Sequence, residues 1–272
     1  MIWNPTVRKF MILPRPVDIG RIKWRPRQTH HAFGHDSRNN DYKVLRIVSG
    51  VIDGEPFRVE VLVYSLARGS WRTLAVDVPA CYYFEPAAAA GVSSFLNGAS
   101  HWIQTLKNDV YGKQREEYVI VWFNMETELF GEIQMPEAFR KHKPCSIYFI
   151  SKYEEYLALI ESSIIQEGRY GLQVWVMKEY GVVESWTRLY MNSALPSFPR
   201  PPFCFESSCE LVFQVDYLQK SLRIVNLLGN EEVKSFRIDQ HSPAYLFSVV
   251  LYILTQLRFK NQERSWPAAA GL

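Results

Sequence analysis

The stretch FRVEVLV, residues 57–63, alternates apolar side chains along the chain, and YKVLRIV at residues 42–48 has the same period of two. Alternation of this kind is typical of β-strands, because successive side chains point to opposite faces of a pleated sheet. Further β-branched or aromatic runs share this character: EYVIVWF at 117–123, LQVWV at 172–176 and ELVFQV at 210–215. Turn-forming residues separate the runs at Asn39-Asn40-Asp41, Asp53-Gly54, Asn97-Gly98 and Gly229-Asn230. Many short strands predict an all-β sandwich, barrel or propeller.

Two short segments have a less clear pattern. Residues 153–165, YEEYLALIESSII, fit both helical and strand spacing, and we favour a pair of strands. A short helix is expected at residues 137–142, directly after Pro136.

A degenerate internal repeat favours the propeller among the all-β architectures. In each copy a strand and a polar turn are followed by an aromatic residue. The aromatic residue lies six positions after a fixed point of the repeat, or nine positions in the fourth copy. The fixed points and their aromatic residues are Asn4 and Phe10, Ser65 and Trp71, Asn124 and Phe130, and Met177 and Trp186. A weaker fifth copy starts at Asp216 and has Arg223 at the aromatic position. We expect these aromatic residues to be buried between neighbouring sheets. Hairpins with an aromatic residue also occur in other β-proteins, so that alternative stays open.

Composition excludes several classes of protein. The 272 residues are 47% hydrophobic and 22% charged, which excludes intrinsic disorder, and four cysteines are too few for a disulfide scaffold. The N-terminus lacks the apolar core of a signal peptide, and the longest apolar run, residues 245–257, is too short to span a bilayer. We therefore expect an intracellular protein, cytoplasmic or nuclear, with no membrane partner.

Charge is concentrated near the N-terminus. Residues 1–46 contain 10 Lys or Arg and 3 Asp or Glu, a net charge of +7, against +3 for the whole chain. The segment RIKWRPR at 21–27 could contact an acidic partner, nucleic acid included. A solvated loop is the favoured interpretation, so nucleic acid is not an expected partner.

No residue pattern points to a reaction, a cofactor or a metal. Nucleophile, phosphate-binding and metalloprotease motifs are absent from the sequence. The candidate metal ligands are interpreted as loop histidines and buried thiols, without a metal site: His30, His31, His35, His142, Cys145, Cys204 and Cys209. The carboxylates are interpreted as two turn caps, Asp36 and Asp41, and three solvated turn or edge residues, Glu126, Glu128 and Glu132.

Seven segments in fixed order carry a resemblance to a known family. They are WNPTVRKFMILP at 3–14, FGHDSRNNDYKVLRI at 33–47, VLVYSLARGSWRTL at 61–74, FLNGASHWI at 95–103, WFNMETELFGEIQMP at 122–136, VWVMKEYGVVESWTRL at 174–189 and HSPAYLFSVVLYI at 241–253. Together they resemble the plant F-box-associated domain, type 1 or type 3, of S-locus F-box and F-box/kelch-like proteins.

This resemblance implies a propeller-like fold, complete or incomplete, of about five hairpin units. Residues 1–257 would form one domain with an incomplete first blade, and residues 258–272 are an unassigned tail. The implied function is non-catalytic: recognition of a target protein by the F-box subunit of an SCF-type E3 ubiquitin ligase. The expected binding surface consists of loops at residues 76–95, 104–117 and 191–209, with no individual binding residue predicted.

The family carries an F-box ahead of this domain, whereas Met1 here lies two residues before the WNP motif. Adaptor and cullin are therefore expected partners only where an F-box lies upstream, and the target protein is unidentified. The alternatives are a free-standing interaction module or truncated gene product without a ligase role and, more remotely, an enzyme on a propeller fold.

Overall fold

The computed structural model describes twelve ranges of the chain, and every structural statement below concerns these residues: 2–4, 9–16, 25–51, 58–75, 82–83, 94–110, 113–140, 146–195, 197–207, 210–214, 221–227 and 231–237. Several sequence predictions lie outside them, among them the turns at 53–54 and 229–230, the side chains of His142, Cys145 and Cys209, and the tail at 258–272.

The described strands form five antiparallel sheets in chain order. Sheet 1 has two strands, β1 (Ile2–Asn4) and β2 (Lys9–Met11). Sheet 2 consists of β3 (Arg25–Asp36), β4 (Asp41–Val51), β5 (Arg58–Ser65) and β6 (Ser70–Leu74). Sheet 3 consists of β7 (Tyr82–Tyr83), β8 (Ser94–Leu96), β9 (Ala99–Val110), β10 (Lys113–Asn124) and β11 (Phe130–Gln134).

Sheet 4 consists of β12 (Ser146–Tyr153), β13 (Tyr156–Gln166), β14 (Arg169–Met177) and β15 (Trp186–Leu195). Sheet 5 consists of β16 (Arg200–Ser207), β17 (Glu210–Gln214), β18 (Ser221–Asn226) and β19 (Glu231–Arg237). One short helix, α1 (Glu137–Arg140), follows β11, and a single 3-10 turn, Val183–Ser185, precedes β15.

Sheets 2 to 5 are arranged as the blades of a propeller. In sheets 2, 4 and 5 the strands pair in chain order. In sheet 3, β9, β10 and β11 pair in chain order, and the short strands β7 and β8 both pair with β9. The inner strands of successive sheets contact one another: β3 contacts β9, β12 contacts β8 and β9, and β16 contacts β12. Each sheet therefore presents one face to its neighbour, as the predicted all-β propeller requires.

Apolar side chains fill the space between neighbouring sheets. Leu45 and Val63 of sheet 2 pack with Val121 and Phe123 of sheet 3 in one cluster. Comparable clusters join sheet 3 to sheet 4 and sheet 4 to sheet 5. Burial of apolar surface at about 25 cal/mol per Å² makes these contacts the main source of stability.

The local predictions on the two ambiguous segments are confirmed where the structure describes them. Residues 153–165 form the end of β12 and most of β13, joined by a tight turn at Glu154 and Glu155. The helix predicted after Pro136 begins at Glu137 and is described up to Arg140.

The repeated aromatic residues only partly follow the prediction of burial. Trp186 is buried, and its indole Nε1 donates to the Gln134 carbonyl oxygen of the neighbouring sheet at 3.1 Å. Trp71 and Phe130 are half-buried, whereas Phe10 is 63% exposed, so the prediction is wrong for Phe10. Phe10 lies in the two-stranded sheet 1, which offers little surface to cover it among the described residues.

The fifth repeat copy was placed wrongly by the sequence. In sheets 2 to 4 the fixed point of the repeat is the last residue of the next-to-last strand: Ser65, Asn124 and Met177. The equivalent residue of sheet 5 is Asn226, because β18 ends there, and Arg223 lies inside that strand. The copy starting at Asp216 is therefore out of phase with the blade.

Candidate functional site

Each of sheets 2 to 5 has two distinct ends, and in sheet 3 the strands are counted here from β8 as the first. The connections between its first and second strands and between its third and fourth strands lie at one end, called here the turn end. The connection between its second and third strands lies at the opposite end, called here the hairpin end. The two ends differ in how their polar and apolar side chains are used.

A buried ionic cluster joins sheets 2 and 3 at the turn end. Lys43 on β4 places its Nζ 2.7 Å from Asp36 Oδ2, from Glu128 Oε1 and from the Met125 carbonyl oxygen. Arg72 on β6 also pairs with Glu128. The Lys43 side chain is 8% exposed and that of Asp36 is fully buried. We call Asp36, Lys43, Arg72 and Glu128 the Lys43 cluster.

The pKa values of the cluster favour its charged forms. Burial alone would raise the pKa of Asp36, but hydrogen bonds from Asn39 and Lys43 outweigh it and lower that pKa to about 2. Burial would likewise raise the pKa of Glu128, and its bonds to Lys43 and Arg72 lower it instead. The pKa of Lys43 is raised, since its two carboxylate partners outweigh its burial.

Side-chain to backbone hydrogen bonds hold the turns next to this cluster. Asp36 also accepts from the backbone N–H of Asn39 at 3.0 Å, and Asn40 has a φ of 46°, a left-handed conformation that Asn tolerates. Asp41 accepts from Ser65 Oγ at 2.5 Å and from Ala67 N at 2.8 Å. Both aspartates are turn caps, as the sequence predicted.

The interpretation of the glutamates as solvated residues is wrong for two of them. Glu126 pairs with Arg38 at 2.7 Å and accepts from Ser37 Oγ at 3.1 Å, which ties the same two turns together at the surface. Glu128 is half-buried in the Lys43 cluster. Glu132 is exposed on β11, as expected. The contacts of Glu126 with Ser37 and Arg38, and of Glu128 with Lys43, join residues about ninety positions apart, so no local sequence pattern predicts them.

A histidine and a tyrosine from two of the family-like motifs meet between sheets 3 and 4. His101 on β9 is fully buried, with its Nδ1 3.2 Å from the Ser94 carbonyl oxygen and its Nε2 2.7 Å from the Tyr180 hydroxyl. A carbonyl oxygen only accepts, so Nδ1 carries the proton and Nε2 accepts from Tyr180. Burial lowers the pKa of His101 to about 4 and raises that of Tyr180 to about 12. This contact fastens the β14–β15 connection to sheet 3.

The three N-terminal histidines lie in a strand rather than in the expected loop. His30, His31 and His35 all belong to β3, where side chains alternate between the two faces. His30 is buried beside Trp102, with ring centroids 4.6 Å apart, whereas His31 is exposed. Within the described ranges no group of three or more His, Cys, Asp or Glu is placed to hold a metal, and no helix could cross a membrane.

The segments expected to be binding loops are in large part strands. Residues 104–110 and 113–117 belong to β9 and β10, which stay paired up to Val110 and Lys113. Residues 191–195 end β15, and residues 200–207 form β16. Of residues 76–95, only 82–83 and 94–95 are described, in β7 and β8. The described part of these segments therefore consists largely of strands.

One such surface is a contiguous patch of apolar, aromatic and basic side chains where sheets 4 and 5 meet. Ile164 on β13 lies opposite Tyr170 on β14, and the Tyr170 ring packs edge-on against Phe198 with centroids 5.7 Å apart. The guanidinium carbon of Arg200 lies 5.4 Å from the centre of the Phe198 ring. We call Ile164, Tyr170, Phe198 and Arg200 the hairpin patch.

Local backbone features present this patch to solvent. The register between β13 and β14 shifts between Ile164 and Gln166, and such a bulge redirects the side chains beside it. The strands then turn through Gly168, whose φ is 73°. The segment that carries Phe198 is fastened to sheet 4, because Ser162 Oγ donates to the Pro199 carbonyl oxygen at 2.7 Å.

Only part of this site could be predicted from the sequence. The predicted loop at residues 191–209 contains Phe198 and Arg200, but Ile164 and Tyr170 come from a hairpin that was treated as scaffold. The bulge that exposes Ile164 and Ile165 could have been suspected, because two consecutive isoleucines before Gln166-Glu167-Gly168 interrupt the strand alternation.

Comparison with known proteins identifies one family and several relatives. The profile of the F-box associated beta propeller domain matches residues 1–242. F-box protein CPR1 of Arabidopsis thaliana is 26% identical over 267 residues, which are 92% of this chain and 62% of that protein. A second Arabidopsis thaliana F-box protein is 25% identical over 79% of this chain and 54% of its own length.

An F-box/kelch-repeat protein of Arabidopsis thaliana is 23% identical over 74% of this chain and 49% of its own length. The chain therefore spans about half to three-fifths of the length of these curated relatives.

Proposed function

We propose that this chain, which belongs to the family of F-box associated β-propeller domains, recognises the target protein of a plant SCF-type E3 ubiquitin ligase. The curated relatives it matches are F-box proteins by name, and the chain corresponds to about half of two of them. In this proposal the domain is a non-catalytic interaction module, and transfer of ubiquitin takes place elsewhere in the ligase.

The observation that carries the proposal is the different construction of the two ends of the sheets. At the turn end of sheets 2 and 3, the charged side chains of the Lys43 cluster pair with one another between the two sheets. At the hairpin end, the hairpin patch presents aromatic, apolar and basic groups to solvent on strands β13, β14 and β16 and on the β15–β16 connection. A rigid β-scaffold that displays such a surface suits binding of a macromolecule.

The mechanism that follows is positional. A target held by the domain stays close to the conjugating enzyme of the same ligase, so its lysines have a high effective concentration there. The inter-sheet contacts serve this role, because a rigid domain loses little conformational freedom when the target binds. No covalent step on this chain is required.

The test is a comparison of two forms of the protein in plant cells. One form is the chain as given, and the other carries an F-box joined ahead of residue 1, both expressed with the proteasome inhibited. We expect both forms to capture the same target, and only the F-box form to recover the ligase adaptor and to increase ubiquitination of that target. Equal recovery of adaptor by both forms, or no shared target, would contradict the proposal.

A further inference from the structure

We propose that the hairpin patch is the target-docking surface and that it takes an acidic segment in which a carboxylate side chain stands next to an apolar one. This inference rests on the proposed function and adds the surface used and the chemistry of the partner. Residue types, fixed geometry and unneutralised charge at the patch support it.

The residue types of the patch are those that dominate protein interfaces. Tyr, Phe and Arg are enriched at the cores of such interfaces, and Tyr and Arg often contribute most of the binding energy. Ile164 is 46% exposed and the adjacent Ile165 is 54% exposed, although both belong to a strand of a core sheet. Ile164 and the rings of Tyr170 and Phe198 provide an apolar surface for a partner side chain, whereas Ile165 lies on the other face of the sheet, next to Gly171.

The geometry of Arg200 is fixed before any partner arrives. Its guanidinium lies over the Phe198 ring at 5.4 Å, and Phe198 is itself supported by Tyr170. A guanidinium placed over an aromatic ring keeps N–H donors available, to which a carboxylate can bind in a bidentate manner. Ordering this long side chain in advance lowers the entropic cost of the contact.

The charge of the patch is positive and lacks an internal counterpart. Neither Arg200 nor Arg169, at the start of β14, forms an ion pair with any residue in the described part of the chain. Two described carboxylates lie in the same hairpin: Glu167 in its turn, and Glu161 on β13, which is buried and accepts from Ser146 and Gln173. At the turn end, in contrast, Arg38 and Arg72 are already paired with Glu126 and Glu128.

These features together define the partner. A carboxylate of the target pairs with Arg200, and an apolar side chain beside it covers Ile164 and Tyr170. Charge-assisted bidentate bonds of this kind select a planar anion and fix its orientation. A basic or wholly polar segment would leave the Arg200 guanidinium unpaired and Ile164 exposed, so it would bind poorly.

The experiment uses the full chain as bait for a phage-displayed library of random twelve-residue peptides. We expect the enriched peptides to share an Asp or Glu adjacent to an aliphatic or aromatic residue. A synthetic enriched peptide is then titrated against the wild type and the variants Ile164→Asp, Arg200→Glu and Leu129→Asp. Leu129 is the matched control, because it is 58% exposed at the opposite, turn end.

We expect Ile164→Asp and Arg200→Glu each to weaken peptide binding about tenfold or more, as loss of a hot-spot residue does. Leu129→Asp should change the peptide dissociation constant by less than about twofold, because it adds the same negative charge as Ile164→Asp but far from the patch. A peptide with its carboxylate replaced by Lys should recover binding to Arg200→Glu. Circular dichroism of each variant confirms folding, and the two patch variants test the surface independently.

The proposal is overturned if no acidic-apolar peptide is enriched, or if enriched peptides bind both patch variants as well as the wild type. It is also overturned if the patch variants change the sedimentation coefficient of the free protein, because a second copy of this chain would then occupy the patch. Failure here leaves the proposed function standing wherever the F-box comparison still yields a target. If the F-box comparison fails but peptides still bind at the patch, only the proposed role in a ligase is contradicted, and the docking surface stands.

Discussion

Removal of the central charge of the Lys43 cluster by Lys43→Met is expected to lower the free energy of unfolding by about 3 kcal/mol. The ammonium group has three acceptors at 2.7 Å, and its removal leaves Asp36 buried without its cationic partner. Loss of one partner of a buried ion pair costs about 3–5 kcal/mol. The lower end applies, because Asn39 still donates to Asp36 and Arg72 still pairs with Glu128.

The measurement is equilibrium unfolding in urea, followed by tryptophan fluorescence, with Lys152→Met as the matched control. Lys152 makes the same kind of pair with Glu155, at 3.0 Å, but the Glu155 side chain is 84% exposed. Surface pairs contribute about 0–1 kcal/mol, so the control should lose less than that.

A second variant separates charge from packing. In Lys43→Met combined with Asp36→Asn the buried, uncompensated carboxylate is gone, so the double variant should lose less stability than the sum of the two single variants. Equal losses for Lys43→Met and Lys152→Met, or strict additivity in the double variant, would refute the assignment of a buried ionic cluster between sheets 2 and 3.

Trp186→Ala should cost about 3–5 kcal/mol in urea unfolding, because it empties a buried aromatic site between sheets 3 and 4, whereas Phe10→Ala should change stability by less than about 0.5 kcal/mol. Gly34→Ala should cost about 1–3 kcal/mol in the same assay, since a Cβ there would lie 2.4 Å from the Phe95 ring and 2.8 Å from Met125 Cγ. Folding lowers the pKa of His101 from 6.5 to about 4, so between these pH values the unfolded chain binds one more proton than the folded chain. The free energy of unfolding should therefore fall by up to about 3 kcal/mol as the pH drops from 6.5 to 4. His101→Gln should remove this part of the pH dependence of the unfolding free energy; an unchanged profile would show that the buried imidazole does not cause it.

The sheets could be predicted from sequence because side-chain alternation is a local property. The runs at 42–48 and 117–123 fall inside β4 and β10, and Asn97-Gly98 forms the turn between β8 and β9. The prediction of a binding loop at residues 104–117 was wrong for the described residues, which belong to β9 and β10. Strand pairing there rests on backbone hydrogen bonds, which are common to all residues and leave no compositional trace.

Contacts between sheets could not be predicted in the same way. Lys43 and Glu128 are 85 positions apart, and each is unremarkable in its own turn. The hairpin patch draws on β13, β14 and the β15–β16 connection, so its existence depends on how sheets 4 and 5 pack. The family resemblance supplied the fold and the class of function, but the surface had to come from the three-dimensional arrangement.

Hydrogen–deuterium exchange of the chain with and without its captured target tests the central claim most directly, because it locates the bound surface on the intact domain. The account predicts slower amide exchange on target binding at residues 164–170 and 198–200, with residues 125–129 at the turn end unchanged. Protection confined to the turn end, or no protection anywhere when target is bound at saturation, would contradict a target-recognition surface at the hairpin end of the propeller.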